Sequence, residues 1–206
     1  MRILAWRVAP FDNGMYLVVD DRRDALCVDP SQGEHELMGG LRDEGIRLLA
    51  ILNTHGHPDH IYANAAVKAA TRARLAIHRL DAYRLDPRTA PPSVMGPVPR
   101  ADADDLIDEG PVTYLRDAHV EAVHTPGHTE GSTCFYLPGE AALFSGDVLF
   151  AGNVGRVDQP GGSARDMEKS LERVAAFPPA TKVYPGHGPS TTIGAELPWL
   201  RGFRLT

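Results

Sequence analysis

The stretch Thr54-His55-Gly56-His57-Pro58-Asp59-His60 packs three imidazoles and a carboxylate into seven residues, directly behind the apolar run Leu48 to Leu52. Three further groups of the same chemistry recur downstream: His128 in Thr125-Pro126-Gly127-His128-Thr129, Asp147 in Ser145-Gly146-Asp147, and His187 in Pro185-Gly186-His187-Gly188. Each follows a predicted strand and is flanked by glycine, which lets backbone and metal approach closely. Imidazole and carboxylate are the donors that zinc, iron and manganese accept without thiolate. One ion has no use for seven donors, so the set His55, His57, Asp59, His60, His128, Asp147 and His187 points to two divalent ions. Zinc is the first expectation, with iron or manganese compatible. Two such ions about 3.5 to 4 Å apart share a water and bring its pKa toward neutrality, giving a bridging hydroxide without a protein nucleophile. Asp59 would then serve both as a ligand and as the catalytic group that orients the hydroxide or takes its proton.

No Gly-x-Ser-x-Gly elbow is present, and neither cysteine lies in an activating motif. The loop Phe150 to Gly162 carries Asn153, Arg156 and Asp158, which fit either substrate binding or a buttress for the ligands through an Arg-carboxylate pair. Asp29, ahead of Pro30, fits either a partner for a ligating imidazole or a turn. His35, His78, His119 and His124 read as surface or hydrogen-bonded histidines rather than ligands.

The elements that must carry these groups follow from periodicity. Ile3 to Val8, Met15 to Val19 and Ala25 to Val28 read as an antiparallel meander with Asp12-Asn13-Gly14 and Asp20-Asp21-Arg22 turns. A helix over Glu34 to Glu44, a buried strand over Leu48 to Leu52, a helix over Pro58 to Thr71 and a strand over Leu75 to His78 come next. Five prolines between Pro87 and Pro99 predict a long irregular loop, either a site rim or a surface excursion. Strands are expected over Val112 to Leu115, Val120 to His124, Ser132 to Leu137 and Ala141 to Phe144. A helix capped by Ser163 with Asp166, a strand over Lys182 to Tyr184 and a helical tail over Ile193 to Leu200 complete the chain. Strands followed by helix and strand in each half suggest two mixed sheets face to face with helices outside, an α/β (α+β) class in one domain over 1–206.

Composition narrows the function. A net charge of -6 argues against a general grip on nucleic acid or an acidic membrane. The acidic cluster Asp102 to Glu109 reads as a solvated turn. No segment approaches the roughly 20 apolar residues of a membrane span. Cys27 and Cys134 lie in separate apolar runs, so core thiols and a cytoplasmic location are expected, with a small molecule as substrate. The oligomeric state is left open.

The ordered set of seven groups resembles the metallo-β-lactamase-fold hydrolases. Phe144-Ser145-Gly146-Asp147-Val148-Leu149-Phe150, Gly155-Arg156-Val157-Asp158 and Pro185-Gly186-His187-Gly188-Pro189-Ser190-Thr191-Thr192-Ile193-Gly194 are similar to the glyoxalase II-like branch. That resemblance implies a four-layer αβ/βα sandwich. It also implies a first metal on His55, His57 and His128, a second on Asp59, His60 and His187, and Asp147 as the bridge. It further implies hydrolysis of a thioester. Only nineteen residues follow His187, so the helical domain with which typical glyoxalase II enzymes grip glutathione is not expected, and a different thioester or a lactone is open as substrate. Persulfide dioxygenases resemble the chain at the early histidines but use one iron. A non-catalytic scaffold would have no need of seven convergent ligands.

Overall fold

The computed structural model describes residues 1–116 and 118–205. Its first half runs β1 (Arg2–Val8), β2 (Asn13–Val19), β3 (Asp24–Val28), α1 (Glu34–Glu44), β4 (Arg47–Asn53), α2 (Pro58–Ile61), α3 (Asn64–Thr71), β5 (Arg74–His78) and β6 (Asp105–Ile107). The second half runs β7 (Gly110–Val112), β8 (Val120–His124), β9 (Thr133–Leu137), β10 (Ala142–Gly146), α4 (Ala164–Val174), β11 (Lys182–Pro185), β12 (Thr191–Thr192) and α5 (Ile193–Leu200). The strands form two mixed six-stranded sheets, ordered β1-β2-β3-β4-β5-β6 and β12-β11-β10-β9-β8-β7.

Alternation along the strands sorts their side chains into three layers. Val18, Leu26, Leu52, Phe135 and Phe144 meet between the sheets. Leu17, Cys27, Ile51 and Ile77 point the other way, onto Leu37 and Leu41 of α1 and Val67 of α3. On the far side Cys134, Leu143 and Val183 pack against Met167 and Leu171 of α4 and Ile193 of α5. The result is the expected αβ/βα sandwich, and the two free, buried cysteines lie in different layers.

Three local expectations need correction. The helix expected over Pro58 to Thr71 is broken after Ile61, because Ser31 inserts its backbone: its N–H donates to the His60 carbonyl at 3.1 Å and its carbonyl accepts from Ala63 N–H at 2.8 Å. The acidic run at 102–109 is not a solvated turn, since Asp105 to Ile107 form an edge strand parallel to β5. Its carboxylates meet cations already in place: Lys68 reaches Asp104 at 2.7 Å, and Arg74 holds Asp105 with two bonds of 2.6 and 2.5 Å. The strand expected over Val112 to Leu115 stops at Val112, and Tyr114 turns away to donate to Asp105 Oδ2 at 2.5 Å.

Candidate metal centre

The seven predicted ligands lie at the ends of β4, β8, β10 and β11. His55 and His57 follow β4 and Asp59 and His60 begin α2, while His128, Asp147 and His187 lie beyond β8, β10 and β11. β8 and β10 both run antiparallel to β9, and β11 runs parallel to β10, so their C-terminal ends share one edge. Thr133 N–H donates to the Thr54 carbonyl at 2.8 Å and ties the two sheets together there. Gly186 allows one such close approach: a Cβ at this position would fall 2.0 Å from Asp147 Oδ1. The flanking glycine is thus needed to admit a neighbouring carboxylate.

Two groups of donors match the predicted sets, and a third, Asp29 with His55 and His60, overlaps both. The ligand atoms of His55, His57 and His128 all lie within 4.8 Å of one another, as do those of Asp59, His60 and His187. Asp147 stands between them, with Oδ2 3.3 Å from His128 Nε2 and 3.5 Å from His187 Nε2, and Oδ1 3.5 Å from His60 Nε2. Asp59 Oδ2 lies 3.3 Å from His187 Nε2 and 3.4 Å from His60 Nε2.

The far nitrogens of the rings fix what the near ones can do. His128 Nδ1–H donates to the Arg156 carbonyl at 2.7 Å, and His187 Nδ1–H to the Phe11 carbonyl at 2.8 Å. His60 Nδ1–H donates to Asp29 Oδ2 at 3.0 Å. Thr54 Oγ1 donates to Asp29 Oδ2 at 2.5 Å, which leaves it free to accept from His55 Nδ1–H at 3.1 Å. Four imidazoles therefore keep Nδ1 protonated and turn Nε2 inward, the nitrogen that is then left to a cation or a proton. His57 presents Nδ1 instead, 2.8 Å from His128 Nε2. Two lone pairs at that separation repel unless a proton or a cation lies between the rings.

The orphaned atoms agree. Among the described residues, His55 Nε2 and Asp147 Oδ1 are buried with no hydrogen-bond partner, a costly condition that a bound cation relieves. Burial, reinforced by neighbouring imidazoles, pushes His55 well below the usual range and His57 down to about 3. Burial acts the same way on His60 and His187 but is overcome. Asp59 and Asp147 hold His60 up at about 9, and their bonds to His187 raise it to about 11. Against burial, His60 and His128 keep Asp147 at about 2, and His60 with bonds from His187 and Asn13 keeps Asp59 far below the carboxylate range. The buried carboxylates draw positive charge to the second group, a demand that protons or a divalent cation can meet. Donor set, orphaned atoms and charge all fit a pair of divalent ions.

Asp29 is fully buried at the end of β3 and accepts from Thr54 N–H at 2.8 Å as well as from Thr54 Oγ1 and His60, so the turn reading of this residue gives way to a carboxylate that backs the imidazoles. Asn13 was missed by sequence reasoning. Buried beside the cluster, it donates from Nδ2 to Asp59 Oδ2 at 3.0 Å, and its only signal was a turn-forming Asp-Asn-Gly. Of the loop candidates, Arg156 reaches the cleft and Asp158 holds its guanidinium with bonds of 2.6 and 2.7 Å. Asn153 is exposed and closes its own turn, accepting from Val154 N–H at 2.8 Å. His78 and His124 stack with ring centres 4.1 Å apart, and His119 pairs with Glu121 at 2.5 Å.

Above the cluster opens a cleft of about 480 Å³, within the range of small-molecule sites. Phe11, Phe150, Val94 and Met95 line its rim, so the proline-rich loop is a wall of the site and no mere surface excursion. A larger concavity of about 580 Å³ lies between Met1, Asp20 and Glu44 and holds no imidazole.

A two-sheet sandwich with clustered His and Asp side chains at one edge defines a metallohydrolase fold. The chain belongs to the metallo-beta-lactamase superfamily, whose sequence profile matches residues 10–187. It is 32% identical over 177 residues to a hydroxyacylglutathione hydrolase of Pelagibacter ubique, covering 85% of this chain and 66% of that protein. The solved structure of the B3 metallo-beta-lactamase BLEG-1 superposes with a TM-score of 0.91 at 34% identity, covering 97% of this chain and 99% of that one. TTHA1623, solved in a di-iron-bound form, gives a TM-score of 0.83 at 33% identity, covering 94% and 96%.

Proposed function

We propose that the protein is a dinuclear metal-dependent hydrolase of small-molecule thioesters, acting in a reducing, cytoplasmic setting. The observation that carries this reading is the place of Asp147 between two three-donor groups, at 3.3 Å from His128 and 3.5 Å from His187. His55, His57 and His128 would hold one ion and Asp59, His60 and His187 the other, with Asp147 shared; zinc suits this set and iron also fits it. Such a pair, when bound, makes water nucleophilic near neutral pH and polarises a carbonyl.

The chain's own groups do the rest. Asn13 fixes the Asp59 carboxylate through Oδ2, and Asp59, held ionised, would orient the attacking water by accepting a hydrogen bond from it. Asp29 and the Phe11 and Arg156 carbonyls keep the far nitrogens of His60, His187 and His128 protonated, so these three rings do not turn away. Phe11 and Phe150 exclude bulk water from the cleft, and Arg156 binds the substrate at its mouth. Thioesters are preferred over other carbonyl substrates because of the likeness to a hydroxyacylglutathione hydrolase and the glyoxalase II-like segments around Asp147, Arg156 and His187.

A panel of thioesters, lactones, β-lactams and phosphoesters, run beside oxygen uptake with a glutathione persulfide, tests this. Thioesters should show the highest kcat/KM without oxygen consumption. Preferential lactone turnover would make the protein a lactonase, and oxygen uptake would replace the hydrolase reading with a dioxygenase.

A further inference from the structure

Asp81 lies outside the cluster, yet it touches both chain segments that deliver imidazoles to the first donor group. It follows β5, at the start of a short 3-10 turn (Ala82–Leu85), and is fully buried. Its Oδ2 accepts from Gly56 N–H at 2.7 Å and from Thr129 Oγ1 at 2.8 Å, while Oδ1 accepts from Gly131 N–H at 2.9 Å. Gly56 lies between His55 and His57, and Thr129 follows His128. Contact with the second segment is direct: a Cβ on Gly131 would fall 2.8 Å from the Asp81 carboxyl carbon. Arg84, itself 2% exposed, extends the clamp, with Nε 3.5 Å from Asp81 Oδ1 and one terminal nitrogen donating to Glu130 Oε2 and to the Pro160 carbonyl, each at 2.7 Å.

Burying a carboxylate this deeply is costly unless its lone pairs are satisfied. Here they are satisfied almost wholly by the backbone and side chain of the two ligand-bearing loops, and none of these bonds goes to an imidazole. The second donor group has different supports: Asp29 behind His60, the Phe11 carbonyl behind His187 and Asn13 beside Asp59.

From this division we infer that Asp81 is a positioning residue that sets the spacing of His57 and His128, and so the cation affinity of the His55–His57–His128 group alone. The inference rests on the two-ion reading above. Asp81→Asn is the discriminating variant, because it keeps the side chain's shape while replacing one acceptor oxygen by a donor. Whichever way the amide turns, an N–H then faces the Gly56 or the Gly131 N–H.

The test is a Co²⁺ titration of the full chain, read by visible absorption and chelator competition, with His57→Ala and His187→Ala as spectral references. Wild type should take up two ions. Asp81→Asn should hold one with wild-type affinity and the other about 10- to 100-fold more weakly, and its one-cobalt spectrum should match that of His57→Ala. Unchanged affinity for both ions, equal weakening of both, or a residual spectrum like that of His187→Ala would overturn the inference. Should Asp81→Asn fail to fold, Thr129→Val removes a single bond to the same carboxylate and must show the same one-sided loss, in smaller measure, for the inference to stand. A wild-type protein that takes up fewer than two ions would remove the two-ion reading itself, and this inference with it.

Discussion

The Nδ1–H groups of His60, His128 and His187 are each committed to a protein oxygen, at 3.0, 2.7 and 2.8 Å. The orientation of these three rings therefore does not depend on the ion that binds, and the carboxylate between the groups is the position where a single change has the largest effect. Asp147→Ala should abolish cation pairing and thioester turnover together. The loss in kcat should be at least about a hundredfold, since several kcal/mol of charge stabilisation go with the pair; metal analysis beside steady-state kinetics checks this, and near-normal turnover would exclude a bridging role. Arg156 splits its functions between backbone and side chain. Its carbonyl holds His128, whereas its guanidinium is exposed and bound to Asp158. Arg156→Ala keeps the carbonyl, so KM should rise several-fold with metal content unchanged, and a loss of metal with constant KM would assign the side chain to ligand support.

Individual elements carry their own signatures. Ser163 caps α4, accepting from Asp166 N–H at 3.3 Å and donating to Asp166 Oδ2 at 2.9 Å. Ser163→Ala should lower unfolding free energy by about 1 kcal/mol in denaturant titration, the usual cost of a lost N-terminal cap, and leave turnover nearly unchanged. That cap was legible from a Ser and an acid three residues apart. The break within Pro58 to Thr71 was not, because its cause is the backbone of Ser31, a residue that carries no helix-stop signal within the segment. At the end of β5, burial and the facing His124 ring hold His78 down at about 4, below the 6.5 of an ordinary imidazole. Between those values the unfolded chain binds the proton that the folded chain refuses, so stability falls as pH drops from about 6.5 toward about 4. His78→Asn retains an acceptor for Leu80 N–H, which lies 3.3 Å from His78 Nδ1, and should flatten this part of the stability profile. A profile parallel to wild type over that window would show that another group sets it.

Across the whole molecule, the two sheets and all seven candidate ligands could be read from the sequence because the signals are local: apolar alternation, and His or Asp beside glycine at strand ends. What supports the ligands could not. Asn13 reaches Asp59 across 46 residues, and Asp81 joins Gly56 to Gly131 across 25 and 50 residues, contacts that exist only once the sheets have stacked. The acidic run failed for the same reason, since the cations that neutralise it come from α3 (Lys68), from β5 (Arg74) and from the residue just past β5 (Arg79). Seven side chains gathered from four stretches of one sandwich edge make a claim about stoichiometry, and stoichiometry can be counted. The most direct measurement is thioester hydrolysis by the metal-stripped protein as Zn²⁺ is added in known equivalents. Activity should be absent at zero, rise with added metal and reach its plateau at two ions per chain; full turnover without metal, or a plateau at one, would contradict the account.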